Sequence, residues 1–391
     1  MMVEMSCCVG SGCADGLAIS DRIYSGRRTH TLPDEASLPL FLTTPPSHHQ
    51  RFTTSILLPT MFLLSTATVA IAAATAGLVS AAPLADKRAD GINDGVILNY
   101  ALTLEHLEDT FYRQGLANFT EDDFRAAGFD ATFYGNVKKV SADETAHVGF
   151  LTEALKAAGV APVAECTYSF GVTDVKTFLA TASILEGVGV SAYLGAAADI
   201  MSKTYLTAAG SILTVEARHS SYIRAGLKQA PFAQPFDAPL SINEVYSLAS
   251  QFIVSCPKEN PPLPVKAFPK LVLDPKTQMP VKTGDTVTLL TPDYTLKGAK
   301  GQKVYAAFIA VTGPTFVEAT PVQGGFSVKI PEGFAGQSYV VLTGCNDSVS
   351  DDTVAAGPAI IEGLAWNLTG GYQGHYGTPV GLSCRVTGKK I

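Results

Sequence analysis

Two short stretches set the limits on what this chain can fold into: Glu144-Thr145-Ala146-His147 and Glu216-Ala217-Arg218-His219. Each is Glu-x-x-His. On a helix, residues three apart share a face, so a carboxylate and an imidazole at this spacing can reach one point together. The chain has seven histidines, and chance supplies roughly 0.3 such matches, so a single one would mean little. Two, both inside helical patterns, call for a common cause. A four-helix bundle that holds two metals takes a Glu from each of two helices and a Glu-x-x-His from each of the other two. Glu105 and Glu186 are the candidates for the two solitary glutamates.

The helical pattern runs from Gly91 to about Ala230. A first helix is expected from Ile92 to about Gln114, with Glu105 inside its apolar stripe, and a turn region with a short acidic helix start follows between Asn118 and Gly128. A second helix spans about Asp130 to Ala158, where Val140, Glu144, His147 and Leu151 share the core face. Asp174 suits the N-cap of a third helix. From Phe178 to Ala198 the only charged residue is Glu186. A helix apolar nearly all round is a buried one, and a buried carboxylate is costly unless paired or metal-bound. Gly187, Gly189 and Gly195 each weaken this helix by about 1 kcal/mol against Ala, and close helix approach is one reason to tolerate them. The fourth helix covers about Thr207 to Lys228. A turn near Met201 lies midway between Glu186 and Glu216, so antiparallel pairing returns the chain to the same height, and Glu105 and Glu144 straddle their turn in the same manner.

Four carboxylates balance four positive charges from two divalent ions, and each imidazole adds a nitrogen. Such mixed oxygen and nitrogen sites suit iron or manganese. The assigned ligands are Glu105, Glu144, His147, Glu186, Glu216 and His219, with Glu144 and Glu216 as bridges and Glu108 as the alternative to Glu105. His106 reads as a surface residue. Tyr100, Tyr193 and Tyr222 can support the site from behind, although core packing is the simpler role for each.

Beyond the bundle, Pro231, Pro235 and Pro239 break the pattern. A short helix is expected over about Ile242 to Val254, and prolines at 257, 261, 262 and 264 mark a linker. The period then changes to two. Runs such as Thr286–Leu289, Val304–Val311, Phe326–Ile330, Tyr339–Leu342 and Ala359–Ile361 read as strands of a small β-sandwich-like domain. The resulting division is a non-native or disordered extension over 1–60, a signal peptide and short pro-segment over 61–88, a helical bundle over 89–257, a linker over 258–268, a strand-rich domain over 269–364 and a Gly-rich tail over 365–391.

The apolar run after Met61 ends in Val79-Ser80-Ala81, which suits cleavage of a secretory signal, with Met61 as the expected true start. Lys87-Arg88 follows as a processing pair. Four separated cysteines, Cys166, Cys256, Cys345 and Cys384, suit disulfides in an exported protein. Pairing within each region is the simplest of three connectivities, and a Cys166–Cys256 bridge would tie the extra helix to the bundle. Sequons at Asn118, Asn346 and Asn367 fit a secreted glycoprotein located outside the cell or in the cell wall. A formal charge of −7 and a pI near 5.5 leave no basic patch for nucleic acid, and no stable membrane anchor is expected.

Five stretches carry a family resemblance: Asn99-Tyr100-Ala101-Leu102-Thr103-Leu104-Glu105-His106-Leu107-Glu108, Asp143-Glu144-Thr145-Ala146-His147, Leu185-Glu186-Gly187-Val188-Gly189-Val190-Ser191-Ala192-Tyr193, Val215-Glu216-Ala217-Arg218-His219 and Ser255-Cys256-Pro257. Over about residues 85–265 the chain resembles the fungal secreted ferritin-like domain family, which includes stress-response and desiccation-related proteins. The resemblance implies a ferritin-like four-helix bundle over that stretch; with the strand-rich segment read from its period of two, the expected fold is α+β multidomain, the bundle followed by a small β-sandwich-like C-terminal domain. It implies the same six ligands and does not settle a reaction. The expected function is that of a secreted di-metal protein, di-iron with manganese as the alternative, acting on oxygen, peroxide or Fe(II) under stress. The rival reading is a non-catalytic cell-wall or spore-surface protein, whose C-terminal domain binds a wall component.

Overall fold

The structure is a computed structural model that describes residues 2–5, 92–298 and 302–364. The expected extension beyond residue 5, the signal and pro-segment, and the Gly-rich tail lie outside the described residues. Residues Met2–Met5 form a strand (β1).

Five helices build the bundle region: α1 (Asp94–Asn118), α2 (Glu121–Ala126), α3 (Ala131–Ala157), α4 (Val175–Ala196) and α5 (Lys203–Gly226). Each begins at a side chain that satisfies an otherwise orphaned backbone N–H. Asn93 caps α1, Thr120 caps α2 in a reciprocal box with Asp123, Asp130 caps α3, Asp174 caps α4 with Thr177, and Ser202 caps α5. Asp94 also accepts from the backbone N–H groups of Met201 and Ser202, at 2.7 and 3.0 Å. This pins the start of α1 to the α4–α5 turn. α1 packs on α3 and α4 on α5, and the two hairpins then pack on each other.

Among the described residues one segment, Val175–Asp199, is long and apolar enough to cross a membrane. Here it is the core helix. Its three glycines mark three close approaches: an added Cβ would lie 2.7 Å or less from Gln337 at Gly187, 2.5 Å from Glu216 Oε2 at Gly189, and 1.8 Å from the Leu240 carbonyl oxygen at Gly195.

After the bundle, α6 (Ile242–Ala249) ends five residues earlier than the sequence suggests. The chain turns at Ser250, and β3 (Ile253–Ser255) pairs antiparallel with β2 (Thr167–Tyr168). Strand pairing next to the Cys166–Cys256 disulfide wins over the helical pattern. The proline-rich stretch is held against α6, because Lys266 N donates to Asn243 Oδ1 at 2.6 Å and Phe268 N donates to Ser247 Oγ at 2.8 Å.

The remaining strands are β4 (Val272–Leu273), β5 (Thr286–Leu290), β6 (Thr295–Gly298), β7 (Val304–Phe308), β8 (Thr315–Val322), β9 (Gly325–Lys329), β10 (Gly336–Thr343) and β11 (Val354–Gly363). Seven form one antiparallel sheet in the order β11-β10-β7-β8-β9-β5-β4, while β6 pairs with β1. A bridge from Val281 to Gly363 links the segment after β4 to the end of β11, so the sheet curls around its own core. Both faces of β10 are covered. Val340 and Leu342 point into that core, while Tyr339 and Val341 belong to the core shared with α1, α4 and α6. Strand β8 escaped the sequence reading because only Ala319 of its residues is buried, which leaves no apolar alternation to detect.

The helical and strand-rich parts therefore share a core. Arg224, itself buried, forms a two-pronged ion pair with Glu362 at 3.1 and 2.7 Å. Tyr339 OH donates to the Gly187 carbonyl at 2.8 Å.

The disulfide spans 90 residues, and removing a cross-link of such length costs about 2–5 kcal/mol. A Cys166→Ser/Cys256→Ser variant is expected to lose a corresponding share of its thermal midpoint by calorimetry, and a variant melting with the parent would contradict this role. Glu244 gives a second test. Burial, with Asp351 adding repulsion and Ser241 opposing, pushes its carboxyl up to about 7. In the unfolded chain the group titrates near 4.3, roughly, so the folded state holds the extra proton between these values, and stability falls as pH rises through that window. Glu244→Gln is expected to remove this fall, so its midpoint should gain on the parent's between about pH 4 and pH 8; a constant difference would contradict the assignment.

Candidate metal centre

Glu105 on α1, Glu144 and His147 on α3, Glu186 on α4, and Glu216 and His219 on α5 all meet in the middle of the bundle. The four carboxylates are fully buried, and the two imidazoles nearly so. Their donor atoms fall into two groups: Glu105, Glu144, His147 and Glu216 in one, Glu144, Glu186, Glu216 and His219 in the other, each with its atoms within 4.8 Å of one another. Glu144 and Glu216 belong to both groups.

The contacts follow this division. His147 Nδ1 is 3.1 Å from Glu105 Oε2, 3.1 Å from Glu144 Oε2 and 3.6 Å from Glu216 Oε1. His219 Nδ1 is 2.9 Å from Glu144 Oε1 and 3.3 Å from Glu186 Oε2. The His219 ring is turned by Asp143, whose Oδ2 lies 3.3 Å from Nε2. In the neutral ring, Nε2–H donating to that carboxylate would leave the Nδ1 lone pair toward the cluster, an arrangement common behind metal-binding histidines.

Two tyrosines hold the outer carboxylates by a reciprocal lock. Tyr112 on α1 donates to Glu186 Oε1 on α4, and Tyr193 on α4 donates to Glu105 Oε1 on α1. Each tyrosine lies seven residues after its own helix's glutamate, on the same face, and grips the glutamate of the other helix. One oxygen of each outer carboxylate is thereby fixed, and the other, Glu105 Oε2 or Glu186 Oε2, is left to face a histidine.

The electrostatics are severe. Burial, aided by repulsion from neighbouring carboxylates, raises Glu216 and Glu108 well above the usual range. Burial pushes Glu144 up to about 7 even with both histidines beside it. Burial alone would lower the histidines, but the carboxylates outweigh it, and His147 rises to about 10 and His219 to about 11. Glu144 Oε1, Glu186 Oε2, both Glu216 oxygens and His219 Nδ1 are buried without a hydrogen-bond partner among the described residues. Orphaned atoms of this kind, four carboxylate oxygens and one imidazole nitrogen, fit metal ions. These buried Glu and His groups can hold metal ions.

Glu108 belongs to neither group of donors. An added Cβ at Gly189 would lie 3.0 Å from Glu108 Oε1 and 2.5 Å from Glu216 Oε2, so Glu108 sits on the flank of the cluster, beside Glu216. His106 is not a surface residue: it is half-buried, with Nε2 3.2 Å from the Val163 carbonyl. Tyr193 supports the site; Tyr222 instead stacks on Phe133 and accepts from Asn136 at 2.8 Å, and Tyr100 lies in the core near Glu244. Tyr112 and Asp143 were missed. The repeated seven-residue Glu–Tyr spacing was the available signal for Tyr112.

Comparison with known proteins places this geometry in a class. Residues 93–229 match the model of the ferritin-like domain family, and the helical part of the chain is a ferritin-like domain. The chain is also similar to Protein rds1 of Schizosaccharomyces pombe, 28% identical over 261 residues that cover 67% of this chain. It spans 60% of the length of that relative.

Gly189→Ala places a methyl group against Glu216 and is expected to lower both the thermal midpoint and the metal bound per chain. Overpacking of this kind costs about 1–3 kcal/mol. Gly210→Ala on α5, where an added Cβ meets nothing within 4 Å, is the control and should stabilise by up to about 1 kcal/mol. Equal behaviour of the two variants would contradict the close packing at Gly189.

Proposed function

We propose that the bundle binds two divalent metal ions, iron with manganese as the alternative, through Glu105, Glu144, His147, Glu186, Glu216 and His219, and acts on oxygen, peroxide or Fe(II) in a stress response outside the cell. The observation that carries this reading is the set of buried carboxylate and imidazole atoms left without hydrogen-bond partners. A cluster this deep is hard to maintain with protons alone. Two divalent ions would supply the missing positive charge and, when bound, a redox couple and open positions for a small oxidant.

The chain's own contribution is positioning. Tyr112 and Tyr193 fix which oxygen of each outer carboxylate faces inward, and Asp143 holds the Nε2 edge of His219, leaving Nδ1 toward the cluster. The buried walls keep bulk water away, so charge changes at the centre are felt strongly by its neighbours. Export is supported by the signal-like run after Met61, by the Cys166–Cys256 disulfide, and by the exposure of Asn118 and Asn346 in two of the sequons.

Metal content by inductively coupled plasma mass spectrometry is the test. About two iron or manganese ions per chain are expected, with loss in a Glu144→Ala/Glu216→Ala variant. Absence of metal after anaerobic loading with Fe(II) and Mn(II) would refute the proposal.

A further inference from the structure

A cavity of about 190 Å³ lies against one flank of the Glu/His cluster. Its walls come from four elements: Leu107 of α1, Leu185 and Val188 of α4, Leu248 and Ala249 of α6, and Ile360 of β11. The far wall, from α6 and β11, lies beyond the residues that match the ferritin-like family. This chain's additional segments therefore convert one side of the bundle into a pocket. Its rim includes Ile184 and Gln251, both exposed.

One charged residue lines it, Glu108, together with Gly189. Glu108 is 4% exposed and lines this space. The missing side chain at Gly189 brings Glu108 and Glu216 to the same gap, and the inner end of the pocket adjoins a residue of the cluster. A buried carboxyl facing apolar walls lacks compensation until something polar meets it. A hydrated cation is a poor occupant, since apolar walls cannot replace its water. An apolar body of modest size is a good one: an engineered cavity of roughly 150 Å³ with similar walls takes up benzene. Ligand sites combine such walls with a few placed polar groups.

We propose that this cavity binds a small, uncharged, mainly apolar organic molecule carrying one hydroxyl-type group, with that group on Glu108 and the apolar body between α4, α6 and β11. The site is distinct from the Glu/His donor set, and its occupancy does not depend on metal.

The test uses the full chain, freed of metal, with benzyl alcohol as probe and toluene as its counterpart without a hydroxyl, read by titration calorimetry. Saturable binding of one benzyl alcohol per chain, tighter than toluene, is expected. Ala249→Phe should fill the pocket and weaken binding by about tenfold or more. Ile360→Trp, approaching from the opposite wall, should do the same and serves if the first variant does not fold. Glu108→Leu should abolish the preference for benzyl alcohol over toluene. No saturable binding, binding indifferent to both filling variants, or a preference that survives Glu108→Leu would each overturn the proposal. Because the readout is made without metal, its failure leaves the metal-binding proposal untouched, and a failure to load metal leaves this one untouched.

Discussion

The structure depends on the burial of carboxylates that have too few partners of their own. Glu105, Glu144, Glu186 and Glu216 are fully enclosed, and two imidazoles are the basic groups within their reach. Gathering like charges in a low-dielectric interior is among the most expensive arrangements a fold can contain. Everything around the cluster reads as a response to that cost. The helices that carry it are long and capped at their starts, and α1 is pinned to the α4–α5 turn by Asp94. Two tyrosines and an aspartate spend their hydrogen bonds on holding the donors in place.

The same demand explains why α4 is so apolar and so rich in glycine. It lies between α1 and α5 of the bundle, α6 and the strand-rich part, so most of its length is buried, and its exposed positions are few: Lys176, Thr177, Ala180 and Ile184. Its glycines admit three different neighbours at close range: Gln337, Glu216 and the backbone of Leu240. The strand-rich part is no mere appendage. Tyr339 and Val341 complete the core that α1 and α4 begin, and the Arg224–Glu362 pair fastens the two parts at a buried contact.

The local rules were legible wherever one element settled the matter. Glu-x-x-His spacing fixes which side chains share a helix face, and the cap at Asp174 follows from backbone groups that need acceptors. Legibility failed where a neighbour decided. The end of α6 yields to the pairing of β3 with β2 beside the disulfide. Strand β8 shows no alternation because most of it faces solvent. His106, adjacent to Glu105, was placed at the surface by helix periodicity, yet a loop folds over it and offers the Val163 carbonyl.

By itself, then, the sequence determined the helical bundle, the six donors and their common height, since side-chain spacing along a helix is a matter of local geometry. Tertiary structure alone decided which glutamate each tyrosine grips, that Glu108 stands on the flank beside Glu216, and that α6 and β11 close a pocket over that flank. Those outcomes depend on how helices are rotated and docked against one another. That rotation is set by the shapes of many side chains meeting at once, which no single stretch of sequence encodes.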